Sequence, residues 1–519
     1  MRKCTILLLS CLLLLQVSAL RAQVLNEQQI DSLVERTLET FRVPGIAVGV
    51  IKDGKVIHAK GYGVRSLKTQ EPVDAHTLFA IASNSKAFTT TALGILVDEG
   101  KLDWDTKVTA IIPEFKMYDP YVTAEFTIRD LLCHRSGLGL GAGDLMFWPD
   151  SADFTKAEVI HNLRYLKPVS SFRSKYDYDN LLYVVAGEVI ARLSGMPWEE
   201  FIETRIMKPL GMNESAASLS RVKDKSNIIN AHAPLGDEIV PIASHLGETT
   251  NAAGGINSNI QDLSKWVIMH LNDGKYGADL QQRLISEKNH REIWSPQTIL
   301  KDGTVYQTSF SMYGLGFQLN DENGHLVVSH TGGLAGVVTK ISMIPDLNLG
   351  IIVLTNQQSG YAFTAITNQI KDGYYGITGK DRIAENKAAE QRYQAYARKV
   401  TDQVWADIDA VVQSGSSPQD LTPYLGTYQD AWFGKVYIEE KQGKLFFRAD
   451  RSPQLKGQML YYKGNTFIVK WNNRTLDADA YVMFTLDEQG RGKGIRMKPI
   501  SPMTDFSFDF QDLDLKRQQ

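Results

Sequence analysis

Two stretches of this chain, Gly45-Ile-Ala-Val-Gly-Val-Ile51 and Gly350-Ile-Ile-Val-Leu-Thr355, are apolar at almost every position and lie far apart in the sequence. Each is a short β-branched run bounded by turn residues, which reads as a buried strand. Asp53-Gly54 marks a hairpin turn with residues 55–61 as the return strand. Residues 326–329 and 337–344 read as further strands, and Pro345-Asp346 with Asn348 marks the turn before Gly350. Between these segments the pattern is helical, over residues 85–98, 179–194 and 261–271. Before them, Ile30, Leu33, Val34, Leu38 and Phe41 recur at helical spacing behind Asn26 as an N-cap. Strands at both ends with helices between predict one antiparallel sheet whose terminal parts pair in space. Helices flank it and form a subdomain of their own, an α/β (α+β) fold.

The 519-residue length exceeds one ordinary hydrophobic core. From residue 381 to about 412 the chain is charged and alanine-rich, a helical connector, and Ser414-Gly-Ser-Ser-Pro418 is a loop suited to a domain boundary. Beyond it, short strand signals alternate with turns such as Gln442-Gly443, Lys463-Gly-Asn465 and the stretch 487–490, the pattern of a small antiparallel β-barrel. The expected organisation is a leader over 1–22, a main domain over 23–380, a helical linker over 381–420 and a β domain over 421–519.

The leader has a basic start, Met1-Arg2-Lys3, an apolar run over residues 6–15, and small residues that allow cleavage after Ala19 or Ala22. An uncleaved anchor is the alternative reading. Export to the periplasm or medium follows from a cleaved leader, which would carry away Cys4 and Cys11 and leave Cys133 alone, without an internal disulfide. The net charge of −3, with no basic stripe, gives nothing to recruit nucleic acid or an anionic membrane. No later stretch is apolar for long enough to cross a bilayer, so no membrane partner is expected after leader cleavage.

Three motifs carry chemistry. Ser83-Asn84-Ser85-Lys86 opens an apolar helix. A serine hydroxyl needs a base to act as a nucleophile, and a lysine one turn on lies on the same helix face. That lysine must be partly neutral, through burial or its neighbours. The bland alternative is a helix cap with an exposed lysine. Ser220-Arg-Val-Lys223 has the same spacing, but its charged surroundings read as solvated surface. Tyr178-Asp179-Asn180 precedes a second apolar helix. The phenol could relay the serine proton to a leaving group, and the Asn180 amide could orient Lys86 or hold a substrate carbonyl. His330-Thr331-Gly332-Gly333 follows a strand, where a backbone N–H could complete an oxyanion hole with that of Ser83. Read singly, the last two are a core tyrosine with a capping Asn, and a glycine turn with a lone His.

The three occur in the order S-x-x-K, Y-x-N, H-T-G, with Ser83, Tyr178 and His330 spaced 95 and 152 residues apart. This arrangement resembles the serine β-lactamase and penicillin-binding-protein superfamily, over roughly residues 26–380. Within it, the branch of class C β-lactamases, D-alanyl-D-alanine peptidases, D-aminopeptidases and related esterases is the most similar. Thr127-Ile-Arg-Asp-Leu-Leu-Cys-His134-Arg-Ser-Gly-Leu138, Ala253-Gly-Gly-Ile256 with Ser258, and Tyr313-Gly-Leu-Gly-Phe317 add to the likeness. The resemblance implies a β-lactamase/transpeptidase-like fold and an acyl-enzyme on Ser83. Lys86 and Tyr178 would be base and proton shuttle, and Asn180 would position. His330, Thr331 and Gly332 would line the site, with Gly333 N–H as second oxyanion donor. Residues 421–519 resemble the lipocalin-like domain attached to some members.

The third motif departs from the lysine that β-lactamases carry there. A largely neutral His330 is a weaker handle for a carboxylate. No S-D-N, G-x-S-x-G, H-E-x-x-H or paired C-x-x-C is present, so neither a metal nor another cofactor is expected. Gly137-Leu-Gly-Leu-Gly-Ala-Gly143 followed by Met146-Phe147-Trp148 suggests a flexible lip over the pocket. Three functions stay open: a hydrolase of esters, D-amino-acid peptides or β-lactams; an acyltransferase to a hydroxylated or amino acceptor; and a non-catalytic peptidoglycan- or penicillin-binding sensor. The expected partner is a small-molecule or peptide substrate. The C-terminal domain is expected to dock on the cleft or to mediate homo-oligomerisation.

Overall fold

The computed structural model describes residues 24–244, 247–301 and 303–518; the expected leader lies outside them. Helix α1 (Glu27–Phe41) starts at Asn26, whose side chain caps Gln29 while Gln29 caps Asn26 in return. Strands β1 (Gly45–Lys52) and β2 (Lys55–Gly63) form the first hairpin. Helices α2 (Ser85–Asp98), α3 (Leu181–Ser194) and α4 (Ile260–Leu271) follow. The chain then returns as β3 (Thr298–Ile299), β4 (Ser311–Tyr313), β5 (Gln318–Glu322), β6 (His325–Leu334), β7 (Val337–Ile344) and β8 (Leu349–Thr355) before α5 (Gly360–Tyr374).

These eight strands make one antiparallel sheet in the order β2-β1-β8-β7-β6-β5-β4-β3. The two apolar stretches do pair, with Val48 opposite Val353 and Ile46 opposite Thr355. Both are buried because both faces of the sheet are covered. Val48, Val50, Ile351 and Val353 pack with Ile30, Val34 and Phe41 of α1 and Ile366 of α5. Ala47, Ile352 and Leu354 face the other way, toward Ile260, Leu263 and Val267 of α4.

The helical subdomain is built around α2, which is buried continuously from Ser85 to Leu96 and is apolar around most of its circumference. Of its threonines, Thr89 is held by specific bonds: its Oγ1 donates to Ala252 O at 2.6 Å and accepts from Trp198 Nε1 at 3.0 Å.

Helix α6 (Arg382–Ser414) runs 33 residues. It lays Val404 and Ile408 against Ile468 and Ile500 of a closed barrel of eight antiparallel strands, β9 (Gly426–Asp430) to β16 (Leu515–Arg517), each paired with its neighbour in sequence and the last with the first. Closure leaves no free sheet edge. Two readings change. The third motif does not follow a strand but lies within β6, which continues through Leu334. The polar strand β5 escapes the sequence reading, since Gln-Leu-Asn-Asp-Glu has no apolar face to reveal it.

Candidate active site

Ser83 sits in a tight turn, Ala82–Asn84, that runs straight into α2. Ala82 adopts φ 49°, in the left-handed region that an alanine enters only under constraint. Three contacts hold it there. Ile81 N–H donates to Ile256 O (2.9 Å), Thr339 Oγ1 donates to Ile81 O (3.0 Å), and Asn84 Nδ2 donates to Thr339 Oγ1 (2.9 Å).

Lys86 is fully buried, at the second position of α2 and one turn on from Ser83. Its ammonium donates to Ser83 Oγ at 3.0 Å, Asn180 Oδ1 at 2.7 Å and Ala253 O at 3.0 Å. None of these acceptors is a carboxylate. Burial lowers the Lys86 pKa to about 7, against the opposing pull of Asp144. The rival Ser220 and Lys223 are both exposed on a surface turn.

Tyr178 places its ring 4.8 Å from the Lys86 ammonium. Burial pushes its phenol above the usual range, while its hydrogen bond with Ser83 pulls the other way. His134 lies against Tyr178, ring centroids 4.2 Å apart, and accepts Asp179 N–H on Nδ1 at 3.0 Å. Burial holds His134 neutral. His330 is also neutral, its pKa depressed to about 3 by burial and by Lys86. Its Nδ1 faces Thr331 O at 2.6 Å, so Nδ1 carries the proton and Nε2 accepts from the Tyr313 hydroxyl at 2.9 Å. His330 is thus committed to internal bonds.

Ser83, Tyr178, Asn180, His330, Thr331, Gly332 and Gly333 line one cleft of about 320 Å³, and Lys86 lies in its floor beneath Ser83 and Asn180. All eight sequence-derived site residues therefore meet. Gly332 is the tight point, because a Cβ there would lie 2.2 Å from Ile81 O, whereas at Gly333 the nearest atom is 4.0 Å away.

Other groups in and behind the cleft escape the sequence reading. Asp144, fully buried, accepts from Asn180 Nδ2 and from Ser507 Oγ, both at 2.8 Å, and burial raises its carboxyl to about 8. Asp505, Phe506 and Ser507, from the loop joining the last two barrel strands, line the cleft. Next to them, Asp509 accepts Gly143 N–H at 2.6 Å and Leu145 N–H at 3.0 Å. The glycine-rich lip is therefore clamped rather than free. Gly141, at φ 70°, leaves room for Phe506, whose carbonyl oxygen would lie 2.7 Å from a Cβ. The β domain docks on the cleft, as one of the two sequence expectations has it.

Among the described residues no cluster of His, Cys, Asp and Glu is arranged to hold a metal ion, Cys133 is a buried free thiol, and no helix is long and apolar enough to cross a membrane.

Comparison with known proteins gives the family and the fold of the chain. The curated relatives include "Unguisins hydrolase ungD'" of Aspergillus campestris (strain IBT 28561), 28% identical over 446 residues, covering 82% of this chain and 80% of that protein. They also include "Protein flp" of Staphylococcus aureus (strain COL), 29% identical over 348 residues, covering 65% and 64%. Among solved structures, the octameric penicillin-binding protein homologue from Pyrococcus abyssi superposes with TM-score 0.61 at 22% identity, covering 92% of this chain and 99% of that one. The class C beta lactamase from Rhodobacter sphaeroides gives 0.54 at 19%, covering 66% and 99%. A family model described only as a domain of unknown function (DUF3471) matches residues 412–517. The Beta-lactamase family model matches residues 30–372, more than half of the chain, and the chain therefore belongs to the beta-lactamase family.

Proposed function

We propose that this chain is an exported serine hydrolase that works through an acyl-enzyme on Ser83. The observation that carries the reading is the 3.0 Å bond between Ser83 Oγ and a buried Lys86 amine with no carboxylate among its hydrogen-bond partners. Burial makes a neutral amine accessible near pH 7, which is what a general base requires. Lys86, with Tyr178 relaying, takes the Ser83 proton as Oγ bonds to the substrate carbonyl carbon. The resulting oxyanion faces the backbone N–H groups of Ser83 and Gly333. Tyr178 returns the proton to the leaving group as its bond breaks. Water then attacks the ester carbonyl, giving up a proton by the same route, and Ser83 is regenerated.

The aromatic lining by Phe147, Trp148, Tyr176 and Phe506 supports an apolar group beside the scissile bond. The neutral His330 supports esters or peptides over β-lactams as substrates. The word hydrolase in a relative's name favours water as acceptor over acyl transfer. Export rests on the leader pattern of residues 1–22. Self-association, proposed from the octamer described for the Pyrococcus abyssi protein, is read by sedimentation of the full chain. The activity itself is tested with p-nitrophenyl esters: wild type gives a burst and turnover, and Ser83→Ala and Lys86→Met lose about a hundredfold to ten-thousandfold. Unchanged turnover in Ser83→Ala would refute the reading.

A further inference from the structure

The cleft does not end at the third motif. Across β6 and β7, Gly333 faces Val338, Thr331 faces Lys340 and Ser329 faces Ser342, while Gln318 of β5 faces Ser329. Directly opposed residues share a sheet face, so these side chains form one continuous row. Thr331, Gly333 and Gln318 line the cleft with Ser83. Gln318, Ser329, Lys340 and Ser342 line a second cavity of about 230 Å³, walled on the far side by Asn368 and Lys371 of α5. Ser329 lies two residues from Thr331, roughly 7 Å along the strand. The second cavity thus prolongs the first.

Its charges are unbalanced. Lys371 is paired with Glu322 at 2.6 Å, both buried. Lys340 has neither a hydrogen bond nor an ion pair among the described residues; its ammonium lies 5.7 Å from the centroid of the Phe363 ring, and the Glu322 carboxylate acts on it only from a distance. Ser342 is fully buried, and its hydroxyl has no hydrogen-bond partner among the described residues. Buried hydroxyls are rarely left so. One unpaired cation beside an unused hydroxyl and the amides of Gln318 and Asn368 is a receptor for a single negative charge. Burial and Lys371 lower the Lys340 pKa to about 8, a cost that a bound anion would offset.

We propose that this cavity is a carboxylate subsite of the cleft, in which Lys340 and Ser342 hold the terminal carboxylate of an elongated substrate. It rests on the Ser83 hydrolase reading, and Lys340 supplies from the neighbouring strand the cation that position 330 lacks. The carboxylate could sit on either side of the scissile ester, so three probes distinguish the sources: p-nitrophenyl acetate, p-nitrophenyl hydrogen glutarate and 3-acetoxybenzoate. Wild type favours one carboxylated ester over the neutral one. Lys340→Met lowers that kcat/KM ratio about tenfold or more, and Lys340→Arg recovers part of it. A second arm needs no turnover: in calorimetry glutarate binds wild type and Ser83→Ala, and Lys340→Met weakens it by a similar factor. Ratios and glutarate affinity unmoved by Lys340→Met would overturn the subsite and leave Lys340 as packing on Phe363. If Ser83→Ala turned over all three esters like wild type while glutarate binding still depended on Lys340, the subsite would stand and the hydrolase reading would fall.

Discussion

The Ser507 hydroxyl donates to the Asp144 carboxylate at 2.8 Å, although 363 residues separate them in the chain. Asp144 in turn accepts from Asn180, and Asn180 accepts from Lys86, so a side chain of the β domain is three hydrogen bonds from the amine beside Ser83. This relay makes the barrel part of the electrostatics of the site.

The pH dependence of acylation follows. The amine must be neutral to act, so activity rises with pH through about 7, the Lys86 value. The Asp144 carboxylate favours the ammonium and raises that pKa. Burial raises the Asp144 carboxyl to about 8, so near pH 7 only its ionised fraction supports the ammonium. Asp144→Asn removes that fraction, and the acid limb of kcat/KM moves to lower pH by a small amount. Ser507→Ala acts in the same direction by a smaller amount, because the Ser507 bond helps Asp144 to ionise. Initial rates between pH 5 and 9, in a range of about four units around neutrality, read both shifts. A limb that moves to higher pH in Asp144→Asn would contradict the relay.

The adjacent glycines of the third motif separate packing from catalysis. Gly332→Ala drives a methyl to 2.2 Å from Ile81 O and 2.4 Å from Thr339 Oγ1, the atoms that hold the Ser83 turn. It should cost about 1–3 kcal/mol or more and lower turnover with it. Gly333→Ala meets nothing closer than 4.0 Å and should leave the melting temperature within about a degree or two of wild type. Thermal denaturation of the two variants decides it.

Much of this architecture is legible in the amino-acid sequence. Strands β1 and β8 announce themselves because a strand covered on both faces must be apolar at every position, and α2 does so because the Ser83 motif is followed by ten buried residues, Ala87 to Leu96. Features defined by long-range packing are not legible there. Asp144 sits in a glycine-rich stretch that reads as a loop, and residues 505–509 read as any other barrel connection. Their meeting depends on how two domains dock, which no local periodicity encodes. Strand β5 is hidden for a related reason, since Gln318 and Glu322 face polar cavities rather than a core. The glycines of the third motif disguise the continuation of β6, because glycine in a strand mimics a turn.

The clamp on the lip gives a stability prediction. Asp509→Ala orphans Gly143 N–H and Leu145 N–H, and each buried donor left unpaired costs about 1–3 kcal/mol. Burial holds the Asp509 carboxyl well above its ordinary 3.8. A group whose folded pKa is raised contributes most below its unfolded pKa, and that contribution fades as pH climbs above 3.8. The deficit of Asp509→Ala relative to wild type should therefore be largest in acid and shrink toward neutral pH. Urea denaturation at several pH values measures it; a deficit that grows with pH would contradict this account.

The central claim is that one hydroxyl, activated by a buried amine, takes up the acyl group. Intact-mass spectrometry after brief mixing with p-nitrophenyl glutarate or a fluorophosphonate tests it most directly, with peptide mapping of the adduct. A single adduct on Ser83 is expected, absent in Ser83→Ala and strongly slowed in Lys86→Met. An adduct on any other residue, or one that forms at the wild-type rate in Lys86→Met, would contradict it.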